Sequence, residues 1–499
     1  MQPTPQAAEP VVSDPNETWH PDDAFWGKLS GFGMACSSRS WNVAIQSEEQ
    51  LSKVFESVSK AGGCINLRGS GASYGDANIN TNQIVVDCTP MNEIESWDPE
   101  TGLIRVQAGV TVEQVWRHVI ADGYWPPVVS GTMTPTIAGA LAMNIHGKNC
   151  YAAGTLGEHV VTLRVLVPSG DVIECGPDKN GDFFRAVIGS YGMLGCILSA
   201  TLRLKPIQTG QVEVTAYRTP NLAQMFDVFA KNVEQPYLVG WIDAFAKGDG
   251  AGRGIVHVAR HLRADEVSNA AATLQPSAQE LPGRLFGILP KSWMWRLLKP
   301  FSNRAGMRLI NAVKYRSCSG RAEGKTHRES LGAFNFLLDF VPNWRFVYRP
   351  GGFIQHQSFV PADHAQEVFT QTLALARQYG MPPYLAVFKR HRTDAFLLSH
   401  GVDGYSLALD FAINNRSRGR IIDLTSEIDQ LVVSAGGRFY PAKDATLHAE
   451  DYRRSLPDHS YTSFKTLKAQ TDPHNILQSD LYRRLFQGGP MNPGILQDG

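Results

Sequence analysis

Three glycine-punctuated stretches between Asn66 and Pro206 restrict what this chain can fold into more than any other feature. They are Leu67-Arg68-Gly69-Ser70-Gly71-Ala72-Ser73-Tyr74-Gly75-Asp76, the run from Ser130-Gly131-Thr132 to His146-Gly147-Lys148-Asn149, and Ile188-Gly189-Ser190-Tyr191-Gly192-Met193-Leu194-Gly195. Glycine reaches φ > 0 and lets a backbone approach a ligand, so peptide N–H groups can surround phosphates with no side chains in the way. The first stretch is not the Rossmann fingerprint, because its spacing is G-x-G-x-x-x-G and no βαβ unit with an acidic ribose binder follows. Gly147-Lys148 is not a P-loop either, since Ala142 stands where the upstream glycine belongs and Asn149 replaces the Ser or Thr.

A chain of 499 residues exceeds the roughly 100–200 typical of one domain, so two or three folding units are expected. Its 47 basic and 47 acidic side chains balance, which argues against nucleic acid as a partner. The seven cysteines are odd in number and contain no C-x-x-C pair, a pattern that suits reduced thiols in a cytosolic setting better than a disulfide frame or zinc site. Residues 1–24 lack the apolar segment of a signal peptide, no apolar run is long enough to span a bilayer, and the sequon Asn16-Glu17-Thr18 carries no weight in such a protein. The expected location is the cytoplasm, with peripheral attachment to the inner face of the membrane as an extension.

Apolar residues at Leu51, Val54, Phe55 and Val58 predict a helix over Ser47–Ala61, and Thr111–Ala121 reads as another. Short strands are expected at Cys64–Leu67, Ile84–Asp87 and Leu103–Val106, and a hairpin around Pro168-Ser169-Gly170. Strands mixed with isolated helices argue for an α+β fold rather than a doubly wound sheet. Glycine density falls after Gln208, and apolar segments at Val212–Tyr217 and Tyr237–Asp243 suggest a second domain. The expected division is a flexible start (1–24), a first domain (25–206), a second (207–437) and a return to the first (438–499).

Arg68-Gly-Ser-Gly-Ala-Ser-Tyr-Gly-Asp76, Asn144-Ile-His-Gly-Lys-Asn149 and Gly437-Arg-Phe-Tyr-Pro-Ala-Lys-Asp444 resemble the FAD-binding fold of the vanillyl-alcohol oxidase superfamily, nearest in it to the decaprenylphosphoryl-β-D-ribose 2′-oxidase family. The likeness runs from about residue 40 to 206 and resumes from about 345 to 486. It implies a PCMH-type FAD-binding domain of two α+β subdomains, plus a substrate-binding cap domain with an antiparallel sheet. It also implies that the backbone of Arg68, Gly69, Ser70, Gly71, Ala72, Ser73 and Tyr74, with Gly131, Thr132 and Thr136, meets the pyrophosphate. Gly192, Leu194, Gly195 and Ile197 would hold the adenosine and ribitol side, with Gly139, Asn144, His146, Gly147, Asn149 and Lys443 as further cofactor contacts and Lys148 in the same polar wall. Covalent members carry a histidine where this chain has Ala72, so noncovalent FAD is expected; Cys150 as a thioether site is the weaker alternative.

The same resemblance points to Lys443 as the base that faces flavin and substrate, with His146 second and Tyr440 as a neighbouring aromatic. Burial beside a ring would lower the lysine pKa towards neutrality. Alternation along Ile354–Phe359 puts Gln355 and Gln357 on one strand face, suited to hydroxyl recognition, and Lys389 suits a phosphate. Ser406 and Asp410 complete the expected substrate contacts. Related mycobacterial proteins have asparagine and cysteine at the positions of Ser406 and Ala408, so this pocket should lack a thiol. No metal is expected.

Residues 281–320 hold eight Lys or Arg and no Asp or Glu, interleaved with Phe286, Ile288, Leu289, Trp293, Trp295 and Phe301. This composition fits either a peripheral membrane contact or a lid over the active site. The leading expectation is an FAD-dependent oxidoreductase that oxidises a secondary alcohol of a lipid-linked sugar, the ribose 2′-hydroxyl of a polyprenyl-phosphoryl sugar or a related polyol, with a separate reductase completing an epimerisation. An aldonolactone or alditol oxidase, an NADPH-dependent sterol side-chain reductase, and a noncatalytic lipid- or glycan-binding protein are the alternatives.

Overall fold

The computed structural model describes residues 20–285, 289–318, 324, 326–414, 417–492 and 495. The expected flexible start lies outside the described residues up to residue 19, as do the sequon and, in the basic stretch, Phe286 and Ile288. The remainder of that start is held in place by His20, which stacks on Trp41 at 3.5 Å.

A four-stranded mixed sheet opens the fold, in the order β1 (Phe25–Ser30), β2 (Ser37–Ala44), β4 (Ile84–Asp87), β3 (Ile65–Arg68). Helix α1 (Glu48–Ala61) joins β2 to β3. Ser47 caps it by accepting the Gln50 N–H, and Leu51, Val54, Phe55 and Val58 form its buried face. Each such side chain contributes ~1.5–3 kcal/mol by leaving water. The edge of β3 is completed from far along the chain, where the Ile65 N–H donates to Ile476 O at 2.6 Å and Gln478 N–H to Ile65 O at 2.9 Å. Asp472 shapes that returning turn by accepting the N–H groups of Ile476 and Leu477.

The second sheet is antiparallel and five-stranded: β5 (Ile94–Asp98), β6 (Leu103–Gln107), β9 (Cys196–Arg203), β7 (Val160–Leu166), β8 (Val172–Cys175). Helix α2 (Val112–Val119) starts with a capping box between Thr111 and Gln114 and buries Val115, Trp116 and Val119. The short helix α3 (Ile137–Ala142) follows Thr136, its N-cap.

The third sheet has eight antiparallel strands in the order β13 (Thr326–Ser330), β10 (Gln211–Thr219), β12 (Gly254–His261), β11 (Tyr237–Ile242), β15 (Leu385–His391), β16 (Gly404–Ala412), β14 (Phe353–Pro361), β17 (Arg438–Phe439). The chain leaves this sheet only after Phe439, so Arg438 and Phe439 are an edge of it rather than part of the return segment. Helix α4 (Arg304–Ser317) belongs to the basic stretch, while α5 (Ala362–Gln378) and α6 (Arg418–Ser434) back the sheet. His356, on the face opposite Gln355 and Gln357, pairs with Asp429 of α6 at 2.8 Å and ties strand to helix. Helix α7 (Asp480–Gln487) follows the returning turn. The α+β class holds throughout.

Candidate active site

The three glycine stretches meet around one open cavity of about 1190 Å³. The first leaves β3 at Arg68, whose guanidinium donates to Asn78 O at 2.7 Å and so braces the turn. Gly71 sits at φ +71°, a left-handed conformation that a side chain would strain. The Tyr74 N–H donates to Ala442 O at 2.9 Å, and Gly75 passes so close that an added Cβ would stand 1.8 Å from Asp444 O. The loop is therefore pressed onto the segment that carries Lys443. Among the described residues, the amides of 69–73 meet no protein acceptor, which leaves them for a ligand.

The second loop is fastened by a residue that sequence reasoning missed. Asp339 accepts from Thr132 Oγ1 at 2.7 Å and from the Met133 N–H at 2.9 Å, and Leu338 N–H donates to Gly131 O at 3.1 Å. No sequence signal marks Asp339, because its partners lie some 200 residues away. The third loop presents Tyr191, Gly192, Gly195 and Ile197 to the cavity, and Tyr191 is anchored through its hydroxyl to Tyr452 at 2.7 Å. The residues present fit an FAD: unpaired loop amides for its phosphates, and a predominantly apolar cleft wide enough for its rings.

Several expected cofactor contacts stand behind the wall instead of on it. Asn144 Oδ1 accepts the Gly157 N–H, Asn149 Nδ2 donates to Pro127 O, and Leu194 is wholly buried; all three hold loops together. An added Cβ on Gly147 would meet Asn149 Oδ1 at 2.5 Å, so this glycine serves local packing. Lys148 points away from the cavity, donating to Phe334 O with its Nζ 4.5 Å from the Phe334 ring centre. Thr136 and Gly139 do line the cavity, the hydroxyl of Thr136 accepting the Gly139 N–H at 3.2 Å.

Tyr440, Ala442 and Lys443 close the cavity from the far end of the chain. Lys443 Nζ lies 5.7 Å from the centre of the Tyr74 ring. Burial, with Lys389 adding to it, lowers the Lys443 pKa to about 7, while the Asp410 carboxylate pulls the other way. Burial likewise raises Asp410 to about 7, opposed by a hydrogen bond from Gln355 Nε2 and by the charge of Lys443.

His146 lies outside the cavity lining, within a cluster of polar and aromatic groups on the inner face of the third sheet. Gln357 Nε2 stands 3.1 Å from its Nε2 and Lys389 Nζ 3.3 Å from its Nδ1. Burial first, then the charge of Lys389, holds its pKa well below the usual histidine range, so the ring is neutral at pH 7. Ser406 Oγ is 2.8 Å from His391 Nε2 and 3.3 Å from Gln357 Nε2. The structure thus brings Lys443, Asp410 and Gln355 into one group, and His146, Gln357, Lys389 and Ser406 into a second beside it.

His391 and His400, whose rings lie 5.0 and 5.4 Å from that of His146, were not anticipated. Alternation could have found His391, two residues after Lys389 on the same strand; His400 sits in a loop and gives no such signal. Cys88 and Cys196 line the cavity beside the glycine loops, and Cys150 Sγ stands 3.8 Å from His391 Nε2. His146, Cys150 and His391 place possible ligand atoms within 4.8 Å of one another. Lys389 at 3.3 Å from His146 Nδ1 opposes a metal cation there.

Among known proteins, residues 42–176 match the model of an FAD binding domain. The chain carries a PCMH-type FAD-binding domain. A decaprenylphosphoryl-β-D-ribose oxidase of Mycolicibacterium smegmatis is 28% identical over 465 residues, covering 92% of this chain and 97% of that protein. A D-arabinono-1,4-lactone oxidase of Yarrowia lipolytica is 30% identical over 165 residues, 32% of this chain and 31% of its own. A D-lactate dehydrogenase of Anaerostipes hadrus is 25% identical over 154 residues, 30% of this chain and 31% of its own. This FAD-dependent protein is an oxidoreductase acting on CH–OH groups.

Proposed function

We propose that this oxidoreductase removes hydrogen from a secondary alcohol of a phosphate-bearing sugar, the ribose 2′-hydroxyl of a polyprenyl-phosphoryl sugar or a related polyol. The observation that carries the reading is a set of buried acceptors with no protein donor: Gln355 Oε1, Gln357 Oε1 and Asp410 Oδ2. Each orphaned acceptor costs ~1–3 kcal/mol, a cost that sugar hydroxyls relieve by donating to it. Lys389, next to these groups, supplies a cation for the phosphate. The likeness to the ribose oxidase across both domains supports the same choice, whereas the likeness to the lactone oxidase spans about a third of the chain.

FAD, when bound, supplies the hydride acceptor. Lys443 as the neutral amine takes the proton of the substrate hydroxyl, and Asp410 sets how readily it does so. Neutral His146, held between Gln357 and Lys389, fixes the orientation of both. The cofactor is held without a covalent bond, because Ala72 offers no nucleophile and Cys150 Sγ donates to Arg390 O at 3.1 Å, away from the cavity lining. A separate reductase would act on the keto product.

The basic stretch lies partly against the third sheet, where Lys314 Nζ stands 4.5 Å from the Trp241 ring centre. It leaves Trp293 57% and Leu309 55% exposed beside arginines. We read this as a peripheral contact with an anionic membrane, where a lipid-linked substrate resides. Among the described residues no helix is long and apolar enough to cross a membrane.

Anaerobic mixing of the holoprotein with candidate substrates, followed by absorbance of the flavin band, tests the proposal. Bleaching by a phosphorylated riboside and none by NADPH is the expected result. Bleaching by aldonolactones alone, or by NADPH, would replace it with the corresponding alternative.

A further inference from the structure

A second cleft, sharing no lining residue with the FAD cavity, opens at the start of α4 with about 690 Å³ of space. Its walls are Lys247, Arg304, Arg308 and Arg377, with Phe245, Ala305 and Pro382. Arg304 and Arg308 are one helical turn apart and face the cleft together. Lys247 follows β11, and Arg377 ends α5. Four cations thus converge from three separate segments.

Among the described residues none of the four makes an ion pair or a side-chain hydrogen bond to an acceptor. A nearby carboxylate, Asp243, is already taken by the fork of Arg253, at 2.9 Å to Nε and 2.7 Å to Nη2. Arg377 Nη1 is buried with no hydrogen-bond partner among the described residues, a donor left unspent. The positive end of the α4 dipole adds to the field, since Arg304 and Ala305 are its first residues. Like charges gathered without a counter-charge repel one another, and an anion with several acceptor oxygens relieves the repulsion while meeting the arginine forks.

We propose that this cleft binds a phosphate or diphosphate group, carried by a soluble phosphorylated molecule or by a lipid headgroup. The site is independent of the substrate proposed for the FAD cavity. Exposed Leu309 and Val313 on the same helix suit the lipid source.

The test uses the full-length holoprotein, inorganic pyrophosphate by titration calorimetry at low salt, and sedimentation with phosphatidylglycerol or phosphatidylcholine vesicles. Arg308→Glu is compared with Lys465→Glu, an equal change of charge at an exposed position elsewhere, and the flavin spectrum reports that each variant is folded. Saturable pyrophosphate binding that weakens about tenfold or more in Arg308→Glu, and not in Lys465→Glu, is expected. Pyrophosphate binding without vesicle binding identifies a soluble ligand, while retention on phosphatidylglycerol vesicles that pyrophosphate reverses identifies the headgroup. Absence of both kinds of binding, or equal weakening by the two substitutions, overturns the proposal.

Discussion

Arg484 grips Asp76 through two parallel hydrogen bonds, Nε to Oδ2 and Nη2 to Oδ1, each 2.8 Å long, although 408 positions separate the two residues. Its remaining nitrogen, Nη1, reaches Asp444 Oδ2 at 2.9 Å. The last residue of the first glycine stretch and the neighbour of Lys443 are thereby bolted to one buried guanidinium, which sets the distance between the cofactor loop and the proposed base.

Removing that guanidinium strands two buried carboxylates. Arg484→Met should lose ~3–5 kcal/mol of stability and release flavin on gel filtration. Urea unfolding and the flavin-to-protein absorbance ratio measure both. A variant as stable and as yellow as the parent would show that the bolt does not hold the loop.

Lys443→Ala should keep its flavin, since the proposed phosphate contacts are loop amides and not this side chain, yet be reduced by substrate about 10²–10⁴-fold more slowly, the usual range for loss of a positioned base. Stopped-flow absorbance without air reads the rate directly. Normal reduction by this variant removes Lys443 from the mechanism.

The pH dependence follows from burial. With its pKa lowered to about 7, Lys443 is charged and unable to accept a proton below that value, and neutral above it. Flavin reduction should therefore rise between about pH 6 and 8 and then level off. Asp410 raises the Lys443 pKa, so Asp410→Asn should move the rise to lower pH. A profile unmoved by that change, or one that falls with pH, contradicts the assignment.

Lys389→Met should raise KM for a phosphorylated sugar by about 10–100-fold and leave KM for an uncharged polyol nearly unchanged. Equal effects on both substrates would mean that Lys389 acts through His146 and does not meet the phosphate.

Precipitation with acid should leave the yellow colour in the supernatant and a colourless pellet. Colour that stays with the pellet would show a covalent bond formed elsewhere than at Ala72.

The glycine stretches and helix α1 were legible in the sequence because their causes are local. Gly71 needs its left-handed turn, and Leu51, Val54, Phe55 and Val58 recur at helical spacing. The alternation that pairs Gln355 with Gln357 was legible for the same reason. Asp339, His400 and the Arg484 bolt were not, since each acts through a partner that only the tertiary fold brings near. Asn144, Asn149 and Lys148 mark the opposite limit: their place in a motif is plain, but where each side chain points depends on Gly157, Pro127 and Phe334 in other segments.

The bolt between Asp76, Asp444 and Arg484 also orders events during biosynthesis. A nascent polypeptide that has emerged only as far as the third sheet already possesses every glycine turn, yet lacks the guanidinium that ties the first of them to the segment carrying Lys443. Prosthetic-group capture must therefore await translation of the closing helices, and a premature stop codon before Arg484 should yield an apoprotein for chaperones and proteases to clear.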